Sequence, residues 1–372
     1  MTSSFHPRVG GVEEHTARVA AELSRRGHRV EVWAVDRGDG LLTATVDGVP
    51  ARYLPCPQPA RSVGGVLRFL RAAPGAVLAW WKAYRRLRPE ILHVQCFGPN
   101  GVYSLALHRL TRTPLVVSSH GETFADDHHV FDRSRLQRGA LHSALEQADA
   151  VTGCSRLVTD HLRSGFGFER SLIVPNGVVL DEPADPGWPA PGGPTFVAVG
   201  RLEHTKGFDL LLEAFATEGL PGRAWLLIGG DGAEATALRD RARALGIADR
   251  VAFPGRLSRG QVVAAMASAA AVVVPSRTEA FGITTLEGWR SGRPVIATNH
   301  GGPAEIIRDG RDGFLVDPLD LPALARAMAG VLDDPAEAER VGRAGRERVG
   351  DFTWGKVADL YEDIYRRVLA ST

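Results

Sequence analysis

Ser276-Arg277-Thr278-Glu279-Ala280-Phe281-Gly282-Ile283-Thr284-Thr285-Leu286-Glu287 follows a run of small and β-branched residues at 270–274. That run reads as a buried parallel strand, and Pro275 stops it. Gly282 relaxes the turn, and Thr284 and Thr285 offer oxygen caps to a new helix. The expected product is a strand, a tight loop and a helix whose unpaired N–H groups and dipole favour an anion. Glu279 in the loop and Glu287 about one turn into the helix bracket that end. Carboxylates touching a phosphate would repel it. They make sense as acceptors for hydroxyl groups on either side of it, and an anion flanked by polyols describes a nucleotide sugar. On its own the stretch is no more than a helix start with an acidic residue in its first turns.

The surrounding sequence keeps a strand–loop–helix rhythm. Residues 195–200 form a strand, 201–207 its loop, and a helix follows through Leu210, Leu211 and Phe215. Strands at 225–228 and 251–257, 294–298 and 313–316 alternate with helices that end in two segments, 322–349 and 354–369. The turn Gly229-Gly230-Asp231-Gly232 lacks the spacing of a dinucleotide fingerprint and reads as a tight strand-to-helix turn. Arg201 and Lys206, five positions apart, sit at a strand's carboxyl end. A guanidinium fork and an ammonium suit a diphosphate. Two solvated surface cations are the other reading.

The first half repeats the rhythm. Gly10-Gly11 precedes a helix that closes at Arg25-Arg26-Gly27, and 28–35 alternates as a strand. Two glycines before a helix let the backbone approach a phosphate; taken alone, the pair reads as a plain turn. Residues 1–5 leave almost no room for a first strand, so we expect reduced stability at that edge of the sheet, relieved by adding upstream codons. Residues 41–56 read as short strands with Asp47-Gly48 as a hairpin turn. The helical region 61–88 carries arginines, Trp80 and Trp81. It reads either as a membrane-surface helix or as one packing its aromatics on its own domain, with Pro74-Gly75 interrupting a long amphipathic face. Strands follow at 89–95 and 114–122 (ending in His120-Gly121), 148–155 reads as a strand and turn, and 171–178 ends the first domain. The tract His120 to His129 mixes metal-ligand residue types without a ligand spacing of known geometry, and no metal site is expected. Residues 181–193 hold four prolines and three glycines and read as a linker.

Composition bounds the class. A chain of 372 residues suits two domains, and its 44% hydrophobic and 23% charged shares are those of a globular protein. A net charge of +1 provides no general field for nucleic acid or membrane. Cys56, Cys96 and Cys154 are odd in number and widely spaced, which argues against a disulfide framework or zinc cage and for a reducing, cytoplasmic compartment. No run is apolar enough to span a bilayer.

Taken together, these loops resemble family 4 glycosyltransferases, retaining enzymes of the GT-B fold. The resemblance rests on Gly10-Gly11 with Glu14-His15, His120-Gly121, Pro175-Asn176-Gly177-Val178, Gly200-Arg201-Leu202 with Lys206-Gly207, Glu279-Ala280-Phe281-Gly282 with Glu287, and Gly301-Gly302 with Glu305. It implies an α/β chain of two Rossmann-like doubly wound domains facing across a cleft. Residues 1–180 would form the acceptor domain and 181–193 the linker. Residues 194–350 would form the nucleotide-sugar domain, and 351–372 a helix crossing back to the first domain, with Asn176 near the hinge.

It further implies that Arg201 and Lys206 bind the donor diphosphate, with backbone donors at Gly10, Gly11, Phe281, Gly282, Ile283 and Thr284 completing the cradle. Glu279 would accept from the donor sugar, Glu287 from the ribose, backbone at Arg256 and Leu257 would meet the base, and His120 would face the sugar. His120, Arg201, Lys206 and Glu279 are the expected catalytic set, with no metal and no cofactor beyond the nucleotide-sugar co-substrate (a UDP- or GDP-sugar). The acceptor would be a small molecule, a lipid-linked compound or a glycan, with peripheral membrane contact through the Trp80-Trp81 helix left open. The alternatives are a sugar-nucleotide epimerase or glycan phosphorylase on the same fold, or a non-catalytic nucleotide-sugar binder.

Overall fold

The computed structural model describes residues 1–371 except 9, 61, 125–129, 190–191, 218–219, 221 and 223. The chain divides into two compact units, Met1–Pro175 with Trp354–Thr372, and Asn176–Thr353. Part of the tract read as a linker is hydrogen-bonded to the second unit, where Asp185 N donates to Gly260 O at 2.9 Å.

The first unit contains β1 (Val32–Val35), β2 (Thr43–Val46), β3 (Val49–Leu54), β4 (Leu92–Gln95), β5 (Leu115–Ser119), β6 (Ala150–Gly153) and β7 (Ser171–Ile173). β1 pairs with β3 and β3 with β2, while β4 to β7 pair in sequence order. All pairs are parallel except the β2–β3 hairpin, which turns at Asp47 (φ 48°) and Gly48 (φ 80°). Thr2 makes parallel bridges to both Ala34 and Gln95. Its N donates to Trp33 O at 2.9 Å, its O accepts from Val35 N at 3.3 Å, and Gln95 N donates to Met1 O at 2.7 Å. The expected weak edge is therefore corrected: the short leading segment lies between β1 and β4, in the middle of the layer. The alternating run 28–35 pairs only from Val32 on, because His28 N turns back to Leu23 O at 3.1 Å and closes the preceding helix.

A second correction concerns Pro74. The helix Val63–Leu87 runs unbroken through it. Pro74 is exposed, so water can serve the carbonyl whose partner the ring removes. Trp80 is 2% exposed, donates Nε1 to Pro55 O at 3.1 Å and lies edge-on to Trp33. That ring packs on its own domain.

The second unit is one parallel sheet of β8 (Thr195–Val199), β9 (Trp225–Gly229), β10 (Val251–Gly255), β11 (Ala271–Val274), β12 (Val295–Thr298) and β13 (Phe314–Val316), in the order β10-β9-β8-β11-β12-β13. Phe196, Ile228, Val273 and Ile296 from the strands meet Leu211, Phe215 and Met328 from the covering helices. Helices on both faces explain why these strands read as continuous apolar runs. Burying one such side chain stabilises by about 1.5–3 kcal/mol, against roughly 0–1 for an exposed ion pair. The sheet, not surface charge, therefore fixes where the loops begin. The chain steps outward from β8 to β10, then returns to place β11 on the other side of β8. That reversal is where ligands bind in open α/β sheets, outside the strands' carboxyl ends. Among the described residues no helix is long and apolar enough to cross a membrane.

Candidate active site

The loops after β8 and β11 meet at this switch point. After β8, Lys206 closes a short 3-10 turn, His204–Lys206, and its Nζ donates to Glu279 Oε2 at 2.7 Å. Ser276, 1% exposed, donates Oγ to the same oxygen at 2.9 Å. The Glu279 backbone is fixed from the third loop: its N donates to His300 O at 3.0 Å and its O accepts from Gly302 N at 2.8 Å. Burial alone would raise the Glu279 carboxyl; the Lys206 ammonium, the Lys206 and Ser276 hydrogen bonds and the Arg201 charge together bring it below the ordinary carboxylate value.

Arg201 Nη1 donates to Glu203 Oε1 at 2.7 Å. Each of the two cations thus faces a carboxylate of this chain.

The helix Ile283–Arg290 starts at Gly282, whose φ of 91° lies in the left-handed region that glycine tolerates. No side chain caps it, which corrects the expectation for Thr284 and Thr285. Thr285 Oγ1 is buried with no hydrogen-bond partner among the described residues. Phe281 is buried and packs against Phe352, so its side chain anchors the loop while Ile283 and Thr284 open the first turn. Glu287 follows about one turn on and is half-buried. Arg256, exposed, and Leu257, half-buried, leave the end of β10, beyond β9 from Arg201.

Gly10, Gly11 and His120 lie in the first unit. Gly10 is the extended residue before the helix Gly11–Arg25. His120 follows β5; its Nε2 meets Gln95 Oε1 at 2.7 Å and its ring stands edge-on to His15 at 4.5 Å. Burial first, then the neighbouring His15 and His93, holds His120 well below the ordinary imidazole value, so it is neutral at pH 7. His15 in turn meets Tyr361 Oη at 3.1 Å, and His93 spans Tyr365 Oη at 2.6 Å and Ser118 Oγ at 2.7 Å. The helix Trp354–Ala370 is therefore tied by two tyrosines to His15 of the helix Gly11–Arg25 and to His93 of β4.

Several supports escaped the sequence reading. Arg277 reaches Asp209 with both nitrogens, at 2.7 and 2.6 Å, and His204 O at 2.8 Å, clamping the Lys206 turn. Glu122 accepts from Phe97 N at 3.0 Å, His120 N at 2.7 Å and Ser119 Oγ at 3.1 Å. Its distance of two positions from His120 was visible, but not that it turns back to hold that residue's backbone. Glu122→Gln aims an amide N–H₂ at one of these donors. A lost charge-assisted bond of about 1.5–3 kcal/mol predicts a melting temperature lower by about 3–10 °C. An unchanged melting curve would show that those bonds are not made.

The acidic and histidine tract at 125–129 lies outside the described residues. Elsewhere among the described residues no group of three or more His, Cys, Asp or Glu is placed to hold a metal.

Residues 9–182 match the family described as Glycosyltransferase Family 4, and residues 186–348 match Glycosyl transferases group 1. The chain is 31% identical over 290 residues to a glycogen synthase of Mycobacterium tuberculosis, covering 76% of this chain and 69% of that one. It is 28% identical over 392 residues to a GDP-mannose-dependent alpha-(1-6)-phosphatidylinositol monomannoside mannosyltransferase of the same species, covering 98% and 97%. Among solved structures, sucrose-phosphate synthase from Thermosynechococcus elongatus superposes with a TM-score of 0.83 at 24% identity, covering 100% of this chain and 96% of that one. Both units thus have the Rossmann-like architecture of the GT-B fold.

Proposed function

Because the chain belongs to glycosyltransferase family 4, a family of enzymes that move sugars from nucleotide sugars, we propose that it transfers a glycosyl residue from a UDP- or GDP-sugar to an acceptor hydroxyl with retention of anomeric configuration. The observation that carries this reading is the Lys206–Glu279–Ser276 cluster at the switch point of the second unit, beside Arg201 and the start of the Ile283–Arg290 helix. An ammonium has three donors and a guanidinium five. Lys206 can keep Glu279 and still bond phosphate oxygens, and Arg201 can do the same beside Glu203. The two carboxylates hold the cations in place and remain acceptors for sugar hydroxyls.

In the proposed reaction the bond from the anomeric carbon to the phosphate oxygen breaks, and its electron pair leaves with the diphosphate. Arg201, Lys206 and the helix N–H groups stabilise that charge as it grows. The acceptor oxygen bonds the anomeric carbon on the face the phosphate leaves, and its proton passes to the departing phosphate oxygen. The products are a glycoside and a nucleoside diphosphate. Charge neutralisation is assigned to side chains, with no metal in any step. Glu287 and the backbone at Arg256 and Leu257 are assigned to the nucleoside. The roles of Gly10, Gly11 and His120 rest on family resemblance. The mannosyltransferase relative is named for GDP-mannose and a phosphatidylinositol mannoside, which supports a nucleoside-diphosphate donor and keeps a lipid-borne hydroxyl among the acceptors.

A panel of nucleotide sugars tests the reading. A true donor at about a hundredfold excess over Kd should stabilise the fold by ~2.7 kcal/mol and release nucleoside diphosphate, and the product should keep the donor's anomeric configuration by NMR. Silence across the panel would remove the function, and an inverted product would remove the same-face step. Glu279→Ala is expected to lose most turnover; wild-type rates would exclude it from the site.

A further inference from the structure

The helix Val63–Leu87 buries Gly65, Ala76, Trp80 and Ala83, yet carries a second apolar stripe that nothing in the described structure covers. Val63 (80% exposed), Leu67, Leu70 (58%), Val77 (59%) and Leu78 recur at three-, four- and seven-residue spacing, on one face turned away from the buried one. Exposed leucines scattered singly need no explanation; a row of them along one helix does. The same helix holds five basic residues, Arg68, Arg71, Lys82, Arg85 and Arg86, and no acidic residue. By the helical repeat Arg68, Arg71 and Lys82 flank the apolar row, and all are exposed. An apolar stripe edged by cations of one sign fits an interface with hydrocarbon on one side and anionic headgroups beside it. The chain as a whole, at +1, has no such bias, so the charge is concentrated where the apolar row is.

We propose that this face docks the first unit on an anionic lipid bilayer, with the helix lying in the plane of the headgroups and Val63, Leu67, Leu70, Val77 and Leu78 inserted. Pro74, whose expected break does not occur, sits within the row, and its ring adds to the apolar surface. Trp80 points to the core and takes no part. Docking requires neither donor nor acceptor, so it stands or falls apart from the catalytic reading.

Co-sedimentation of the full chain with large unilamellar vesicles tests it. We expect binding to phosphatidylglycerol vesicles, little to phosphatidylcholine vesicles, and weaker binding at 0.5 M NaCl, about a Debye length of 4 Å. Leu70→Asp with Val77→Asp should weaken partitioning at least tenfold. Arg68→Glu with Arg71→Glu should do likewise, because each cation contributes about fivefold. Leu319→Asp, at another exposed leucine (58%), should bind as wild type. Circular dichroism melts confirm that the variants fold, and Leu70→Gln alone, a milder change, should fall between. No binding to the anionic vesicles, or equal binding by the Leu70/Val77 variant, would overturn the proposal. So would a wild-type dimer in solution that this variant converts to monomer, since a second copy would then own the face.

Discussion

Lys206→Ala is expected to lower kcat about 10²–10³-fold, the usual loss when one preorganised donor to a developing anion is removed, and to lower the melting temperature by about 5–10 °C. The second effect comes from the partner. Glu279 is held in a buried position by Ser276, by the backbone of residues 300 and 302, and by the ammonium. Removing the ammonium leaves a desolvated carboxylate with one side-chain donor. Such a loss costs several kcal/mol in a closed interior. Here Lys206 keeps a quarter of its side chain in solvent, so about 2–3 kcal/mol is the better expectation, and each kcal/mol is worth about 2–4 °C in a unit of this size.

The double variant Lys206→Met with Glu279→Gln separates the two effects: it should recover most of the melting temperature and none of the turnover. The acid limb of stability supplies an independent check. Glu279 is below the ordinary carboxylate value of 4.5 in the folded chain, so its contribution is present above that value and lost as pH falls through the lower, folded one. Wild type should lose stability faster than Lys206→Ala as pH drops below 4.5. Equal slopes would mean that the pair does not carry the stabilisation.

The strand–loop–helix rhythm of the second unit was legible because its strands are buried on both faces, and nothing but runs such as 271–274 and 295–298 satisfies that. Boundaries were less so, as at 28–35, where the helix cap at Leu23 and His28 claims residues that alternate like a strand. The role of residue 2 was illegible for a different reason: one pair of bridges, made by backbone atoms, fills the middle of a sheet without any side-chain pattern. In the site, Arg201, Lys206 and Glu279 were found by residue type. The Glu203 partner of Arg201 and the Arg277–Asp209 clamp were not, because Glu203 lies in an ordinary loop and Arg277 finds Asp209 68 positions away. Periodicity reports which face is buried; it does not report which side chains reach across from another loop. The helix at 63–87 shows the converse. Its Trp80 follows the packing reading, while the exposed row proposed for docking became visible only once Pro74 was seen not to break it.

Gly207→Ala is expected to be a strongly damaging single methyl in the second unit. Gly207 has φ 67°, and a Cβ there would lie 2.1 Å from Pro275 O, which is backbone and cannot swing aside. Left-handed φ alone costs an alanine about 1 kcal/mol. The clash adds to it, because either the turn bearing Lys206 or the end of β11 must move by an ångström or more, and both are fixed by the Arg277–Asp209 clamp. A melting temperature lower by about 10 °C or more is expected, together with about a 10²-fold loss of kcat, since a displacement near 1 Å is enough to misplace a charge-stabilising group. Gly246→Ala is the control. Its φ is 71°, nothing lies within 4 Å of its added methyl, and it follows the helix Ala235–Ala244 away from the site. It should lose only about 2–4 °C and keep full turnover. Were the two variants alike in both measurements, backbone conformation alone would account for Gly207, and the close approach of the β8 and β11 loops would have no part in holding Lys206 against Glu279.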